Sequence, residues 1–391
     1  MSEQYKQIYD PVHGFITITP LMKSIIDTPE FQRLRDLKQL GAVHYVYPSA
    51  VHTRFEHSLG VSHLAGIMSE SLIKRTSLHN SERTVELVRI AALVHDIGHG
   101  PYSHLYDTRI RHASEPEHEE RGCEIFSDMV RKYNLLLSEE EVIMIINMIV
   151  PPSHLCNYWL YQIVANKQCQ LDVDKIDYIE RDCFHTGVKF GGEWGRLLTQ
   201  CEIKKVEGNH QIAWPKKLEY EIFQLFATRY RLHRQVYNHH TVKAYEYCVA
   251  KILSAAKQKG VPFLNMTDSI VTSRLNDEWA ELRNKIDCRN IPKLVGEKVL
   301  DMSETSEGSQ LFPLIVSNLI VEKIQIGFSS GDVNPLENVP LFDKSGKISR
   351  IEPDMNLCFP STHREVILRW YNTEPLLQEE AIREWEKKYN T

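Results

Sequence analysis

A mainly α protein with a small mixed α/β lobe at its C-terminal end is the fold class predicted by three features of the 391-residue sequence. Apolar residues recur at helical spacing through most of the chain between Leu21 and Lys251. Beyond about residue 310 that period gives way to short β-like runs among Gly, Pro, Asn and Ser. No apolar stretch approaches the roughly 20 residues of a membrane span; the longest, Val142 to Val150, is interrupted by Asn147. The length accommodates a core over residues 1–300 and a smaller lobe over 311–391.

The elements follow in order. Ile8-Tyr-Asp-Pro-Val-His-Gly-Phe-Ile-Thr-Ile reads as a turn followed by a short alternating strand. Leu21, Ile25 and Ile26 fit a short helix ending near Asp27-Thr28-Pro29. Phe31, Leu34, Leu37 and Leu40 continue a helical repeat that Gly41 closes. Ser58–Lys74, the buried-looking Glu82–Asp96, His118 to about Val130, and Glu139–Ile149 read as helices, the last stopped by Pro151-Pro152. Leu171–Asp182 and a long Lys217–Lys251 follow. Leu314–Leu319, Val321–Ile326 and Ile348–Ile351 are the β-like pieces, Gln378–Lys388 a final helix, and 301–310 a flexible loop. No internal repeat is evident.

The formal net charge is −6, which argues against a dedicated duplex-DNA binder and makes nucleic acid an unlikely partner. Eight cysteines, none in a CxxC pair, fit free thiols in a reducing compartment. With no secretory signal and no basic nuclear run, the expected location is the cytoplasm, away from any membrane.

Histidine is concentrated where chemistry is expected. The window His57–His118 holds eight of the 18 histidines, against roughly three for an even spread. Within it lies His95-Asp96-Ile97-Gly98-His99-Gly100, and on a helix the imidazoles at 95 and 99 sit one turn apart beside the Asp96 carboxylate. Imidazole and carboxylate suit a divalent or ferric first-row metal better than a structural zinc. Gly98 and Gly100 allow close backbone approach. Arg54 and His57 share a helical face; Asp174, Tyr178 and Asp182 share another, with Lys175 on its flank; Arg229, His233 and Tyr237 form a third. Each pattern taken singly also fits a solvated or structurally satisfied polar face. Cations for phosphates and aromatics for a sugar or base together suggest metal-assisted hydrolysis of a phosphate ester or anhydride. Walker A, G-x-G-x-x-G and H-E-x-x-H motifs are absent, which removes P-loop, Rossmann and common zinc-protease readings.

His57, His95-Asp96 and Asp174 resemble the HD-domain metal phosphohydrolase pattern. Asp10-Pro-Val-His-Gly, Ile26-Asp-Thr-Pro-Glu-Phe-Gln-Arg-Leu-Arg35, Lys38-Gln-Leu-Gly41, Arg54-Phe-Glu-His-Ser-Leu-Gly-Val61, His95 to His104 and Asp172 to Tyr178 are similar to the catalytic core of the sterile-alpha-motif and HD-domain-containing deoxynucleoside triphosphate triphosphohydrolases of animals. The resemblance is strong from residue 6 to about 245, and Asn334-Pro-Leu-Glu-Asn echoes that family's C-terminal lobe. It implies an HD-domain helical core without the sterile-alpha-motif domain. It also implies a metal (iron, manganese, zinc, cobalt or magnesium, one or two per site) on His57, His95, Asp96 and Asp174. By the same resemblance, deoxynucleoside triphosphates are split at the α-phosphorus into deoxynucleoside and tripolyphosphate.

Carried over residue by residue, His118 protonates the leaving 5′ oxygen and Glu119 orients it; His99 and His104 contact phosphates, with Asp107 supporting His104. Arg54, Lys175, Tyr178 and Arg229 form the phosphate clamp, with His233 beside them on the Arg229 face. Gln39 and Asp182 bond the sugar 3′-hydroxyl, Leu40 packs by sugar or base, and Tyr237 occupies the place of a 2′-hydroxyl. Lys6, Asp27, Gln32 and Arg35 match the family's grip on an activating guanine nucleotide, GTP or dGTP. Tyr9, Pro215 and His240 depart from its second regulatory pocket, where asparagine, arginine and lysine stand. A homodimer at least, or a homotetramer, is expected. The competing readings are a nucleotide phosphomonoesterase or phosphodiesterase of the same superfamily, a nucleotide sensor, and a nucleic-acid-binding protein.

Overall fold

Asp10 turns the chain first: its carboxylate accepts from the backbone N–H groups of Val12 (2.9 Å) and His13 (2.8 Å). The turn joins strand β1 (Lys6–Asp10) to β2 (Gly14–Ile18) in an antiparallel hairpin, so the segment before the turn is itself a strand. The computed structural model describes residues 5–76, 82–189, 191–274, 277–300, 314–316, 318–329, 333–351 and 362–389. The expected loop at 301–310 lies outside them, as does Cys358; the seven cysteines among the described residues are free thiols.

Helices α1 (Pro20–Ile26) and α2 (Pro29–Gln32) each carry proline in the first turn and a threonine cap, Thr19 and Thr28. The helical repeat expected to reach Leu40 ends sooner, in a 3₁₀ turn at Arg33–Asp36. Tertiary contacts override periodicity here. Leu37 is extended, Lys38 bridges to Thr53, and the Lys38 N–H donates to the buried Asp268 carboxylate (3.0 Å). Helix α3 (Arg54–Lys74) starts four residues before the expected Ser58, because Glu56 reaches back to the Thr53 N–H (2.8 Å) as in a capping box. The early start puts both Arg54 and His57 on the helix.

Helix α4 (Glu82–Val94) packs against α3. It is followed by α5 (His118–Tyr133), α6 (Glu139–Ile149) and α7 (Val173–Thr186), the last capped by Asp172 and closed by Gly187 in the left-handed region. After α8 (Gly195–Thr199) come strands β3 (Glu202–Val206) and β4 (Asn209–Pro215). The single long helix expected over Lys217–Lys251 is two helices, α9 (Glu219–Leu232) and α10 (His240–Gln258). A π-helical turn at His233–Tyr237 breaks it, where the Asn238 N–H bonds the His233 carbonyl (3.1 Å). Short helices α11 (Ser269–Thr272) and α12 (Ala280–Asp287) complete the helical core.

The C-terminal sheet has the order β5-β10-β7-β6, from β5 (Lys293–Leu300), β6 (Leu314–Val316), β7 (Leu319–Gly327) and β10 (Arg364–Asn372). Its pairs are antiparallel. Strands β8 (Leu341–Phe342) and β9 (Ile348–Ser349) instead join β3 and β4, with β8 parallel to β4. Both sheets thus cross the expected 300/311 division: β5 lies before it and belongs to the small sheet, whereas β8 and β9 lie after it and extend the core. Helix α13 (Gln378–Tyr389) covers one face of the small sheet through Trp370, Trp385 and Tyr389. Among the described residues, no helix is long and apolar enough to cross a membrane.

Candidate active site

The His-Asp pair does not lie on a helix. Helix α4 ends at Val94, and His95 and Asp96 occupy the tight turn beyond it. The His95 Nδ1–H donates to the Ala92 carbonyl (2.7 Å), so Nε2 keeps its lone pair and points inward. From α3, His57 is held likewise: its Nδ1–H donates to Asp177 (2.7 Å), leaving Nε2 free. Asp174, in the first turn of α7, places Oδ1 3.1 Å from His57 Nε2 and 3.4 Å from His95 Nε2. Asp96 Oδ2 lies 3.3 Å from His57 Nε2, and its Oδ1 lies 3.4 Å from His95 Nε2. One ligand atom each from His57, His95 and Asp174 fall within 4.8 Å of one another.

Two observations test this group as a metal site. The Nε2 atoms of His57 and His95 are buried with no hydrogen-bond partner, a deficit that a bound ion or water makes good. The local charge also demands a positive partner. Burial opposes protonation of His57, yet Asp174, Asp177 and Asp96 outweigh it and raise its pKa well above the ordinary imidazole value. Burial likewise opposes ionisation of Asp96, and the Arg54 and His95 charges override it, holding the carboxyl well below its usual range. Two imidazoles and two carboxylates with this charge balance fit a first-row metal ion.

Asp177, which sequence patterns did not single out, organises the outer layer. Fully buried, it accepts from His57, from His13 Nε2 (2.6 Å) and from Arg181 Nε and Nη2 (both 2.9 Å). Arg181 continues to Asp10 of the hairpin (2.8 Å). Gly60, one turn after His57, makes room for this network. A Cβ there would stand 1.9 Å from Asp177 Oδ1 and 2.3 Å from Arg181 Nη2. We expect G60A to cost at least about 1–3 kcal/mol of stability and to loosen metal binding, both read from urea unfolding with and without added metal. The signal available in sequence was the Asp177/Arg181 spacing of four on α7.

Beside the metal group stands a second histidine cluster. His99 is buried and stacks on His118, with ring centroids 3.9 Å apart. Close approach of α5 makes this possible: a Cβ at Gly98 would be 2.1 Å from the His118 carbonyl oxygen. His118 Nδ1 is 3.5 Å from Asp107 Oδ2 and 3.2 Å from Glu119 Oε2. Asp107 also faces His99 Nδ1 at 3.7 Å and accepts from Arg121 Nη2 at 2.7 Å. Asp107 was expected to support His104, but it turns to His99 and His118, because Arg121 of α5 draws it toward that helix. His104 is exposed and stands edge-on to His99 (5.1 Å) and His118 (5.6 Å). Burial, followed by the Arg54 and His118 charges, pushes the His99 pKa well below 6.5, so its imidazole is neutral.

The cations converge on the same region. Arg54 pairs with Asp96 and donates to Ser103 Oγ (3.0 Å). Ser103 and Tyr102 hold left-handed backbone (φ 56° and 57°), fixed where Asp268 accepts from the Tyr102 N–H (2.7 Å). Lys175 is buried and stays cationic: burial lowers its pKa, but Asp172, 3.7 Å away, and Tyr178 raise it further. Arg229 donates from Nε to the Tyr178 hydroxyl (3.2 Å) and from Nη1 to the Gly327 carbonyl. Burial, then the charges of Arg229, Lys243 and Lys175, push the His233 pKa well below 6.5.

Asp182 lies eight residues beyond Asp174 on α7, about 12 Å along the helix. Its carboxylate accepts from His52 Nε2 (2.7 Å) and from the Tyr237 hydroxyl. His52 had not been anticipated. Gln39 is buried with its Oε1 unpartnered, and Leu40 is half-buried beside it. The four residues expected to regulate lie apart on the surface. Asp27 pairs with Lys23 (2.7 Å), and Gln32 accepts from Arg35 (2.8 Å), whose guanidinium covers the Phe55 ring; Lys6 is exposed on β1.

Residues 54–182 match the HD domain family, a span that opens at Arg54 and closes at Asp182. The chain is 32% identical to deoxynucleoside triphosphate triphosphohydrolase SAMHD1 of Bos taurus, over 95% of this chain and 75% of that protein. It is also 32% identical to the Homo sapiens protein of that name, over 94% of this chain and 70% of that one. A SAMHD1 homolog of Dictyostelium discoideum is 30% identical over 87% of this chain and 71% of its own length. With alignments at this identity covering nearly the whole chain, the chain belongs to the SAMHD1 family of HD-domain deoxynucleoside triphosphate triphosphohydrolases.

Proposed function

We propose that this protein is a metal-dependent hydrolase of deoxynucleoside triphosphates that cleaves at the α-phosphorus and releases deoxynucleoside and intact tripolyphosphate. The observation that carries the reading is the convergence of His57, His95 and Asp174 within 4.8 Å, beside the stacked His99–His118 pair. His57, His95, Asp96 and Asp174 hold the metal, which when bound supplies Lewis-acid activation of water and neutralises phosphate charge. Imidazole and carboxylate ligands admit iron, manganese, zinc, cobalt or magnesium, one or two ions per site.

The remaining steps belong to the side chains. Arg54, Lys175 and Arg229, with Tyr178, His233 and His104 near them, bind the triphosphate oxygens and spread the charge that develops in the transition state. Water oxygen bonds to the α-phosphorus as the bond from phosphorus to the 5′ oxygen breaks, and His118 delivers a proton to that oxygen. Asp107 and Glu119, both facing His118 Nδ1, keep the ring aimed and stabilise its protonated form before transfer. The unpartnered Gln39 Oε1 is the natural acceptor for a 3′-hydroxyl. Asp182, already bonded to His52 and Tyr237, shares in that contact while fixing the Tyr237 ring where a 2′-hydroxyl would need room. Leu40 packs against sugar or base. Lys6, Asp27, Gln32 and Arg35 form the site for GTP or dGTP as activator, in an assembly of two or four copies; the cytoplasm is the proposed location.

Anion-exchange analysis of products tests the reading. With manganese or magnesium, each deoxynucleoside triphosphate should yield deoxynucleoside and tripolyphosphate, and GTP as substrate should yield far less. Monophosphate with pyrophosphate, or diphosphate with phosphate, would overturn the site of attack while leaving the metal centre standing. Repeating the assay with added GTP or dGTP measures the activation.

A further inference from the structure

The residues given catalytic work lie in the helical core, yet one of them, Arg229, and a neighbour of another, Arg109 beside Asp107, are tied to strand β7 of the small sheet. Arg109 sits two residues beyond Asp107 in a π-helical turn (Tyr106–Ile110) closed by the Arg111 N–H on the Tyr106 carbonyl (2.8 Å). Its Nη2 donates to Glu322 Oε1 of β7 at 2.6 Å. Glu322 is 6% exposed and the Arg109 side chain 14%, so the pair is largely, though not wholly, withdrawn from water. Five residues along the same strand, the Gly327 carbonyl accepts from Arg229. One strand therefore anchors the loop that aims His118 and the guanidinium of the phosphate clamp. Among the other tethers of the loop, Arg121 on Asp107 (2.7 Å) and Lys257 on the Ile110 carbonyl (3.1 Å) come from the core and hold positions near its two ends. Arg109 restrains the middle.

We propose that Glu322 is a positioning residue for proton transfer, acting through Arg109 on Asp107 and thereby on His118; this rests on the hydrolase reading above. A buried charge pair is a suitable restraint because breaking it leaves an uncompensated charge, so the loop has one favoured position. A displacement of about 1 Å at the acid costs on the order of 10²-fold in rate. Substrate binding depends on other groups and is unaffected.

The test compares E322Q, R109Q, R109K and E322Q/R109Q with the unaltered protein for kcat, KM, melting temperature and backbone amide exchange over residues 106–118. We expect E322Q to lose about tenfold or more in kcat with KM within twofold, and faster exchange in 106–118 but not in β1 and β2. R109K, which keeps the charge, should recover part of the rate, and the double variant should fall no further than either single, as residues acting as one unit do. Unchanged kcat in folded E322Q, losses that multiply in the double variant, or a change in KM alone would overturn the proposal. The two readings separate cleanly. Absence of triphosphate hydrolysis by the unaltered protein refutes the hydrolase reading, whereas unchanged exchange in 106–118 refutes the anchor whatever the turnover.

Discussion

The H95A/D96A variant is expected to lose bound metal and to turn over deoxynucleoside triphosphates on the order of 10⁴-fold more slowly, or not measurably. Two of the four ligand groups disappear, and with them the fixed lone pair that the Ala92 carbonyl aims inward through His95. The change also strips Arg54 of its carboxylate, leaving a buried guanidinium with Ser103 as its remaining partner here. A destabilisation of about 3–5 kcal/mol can follow from that alone. D96N separates the two effects, because it keeps the shape and an acceptor for Arg54 while removing the ligand charge. Metal content by elemental analysis, product chromatography and urea unfolding should be measured on both variants. Full turnover by either one in the presence of a chelator would remove the metal assignment altogether.

The second large effect is expected at Asp177, a residue that touches no substrate. D177A should destabilise the protein by about 3–5 kcal/mol, since Arg181 is buried and would keep only Asp10. It should also weaken metal binding about 10–100-fold, the usual cost of removing the partner that orients a ligand histidine. The acid limb of stability gives an independent check. Burial raises the Asp177 pKa, but Arg181, His13 and His57 outweigh it and set it well below the usual carboxylate value. The unfolded chain binds this proton first as pH falls, so the contribution of Asp177 is complete above about pH 4 and is lost progressively below it. D177N should therefore be less stable than the unaltered protein at neutral pH, and the gap should narrow toward pH 2 in urea titrations. A constant gap would mean that the carboxylate charge contributes nothing.

How much of this site was visible in residues alone differs from group to group. The proposed ligands His57, His95, Asp96 and Asp174 were legible as a set only through the resemblance to HD-domain phosphohydrolases; composition and spacing showed no more than a histidine-rich segment around His95-Asp96. The reason first given for His95 and His99 sharing a cleft, one helical turn, is nevertheless not how they meet. The helix stops at Val94, and both reach the site through the turn that follows. Asp107 was read as the support of His104 by carry-over from the resembling family. Which histidine it faces was settled by Arg121, on another element. Asp177 and Arg181 went unremarked in the sequence, where two charges four apart on a helix are common. Their importance depends on α3 approaching closely enough at Gly60 to bury them.

By itself the sequence determined the helical core, the residue types that bind metal and phosphate, and membership in a family whose long motifs leave little room for coincidence. Local spacing and side-chain chemistry suffice for those, since hydrophobic period and ligand identity are properties of short segments. Tertiary structure alone decided where the helices break, which strands join which sheet, and how Asp10, His13, His52 and Glu322 come to support the site. Each of these depends on contacts between residues far apart in the chain: 171 positions separate Asp10 from Arg181 and 213 separate Arg109 from Glu322. Burial turns such pairs from weak surface attractions into strong restraints.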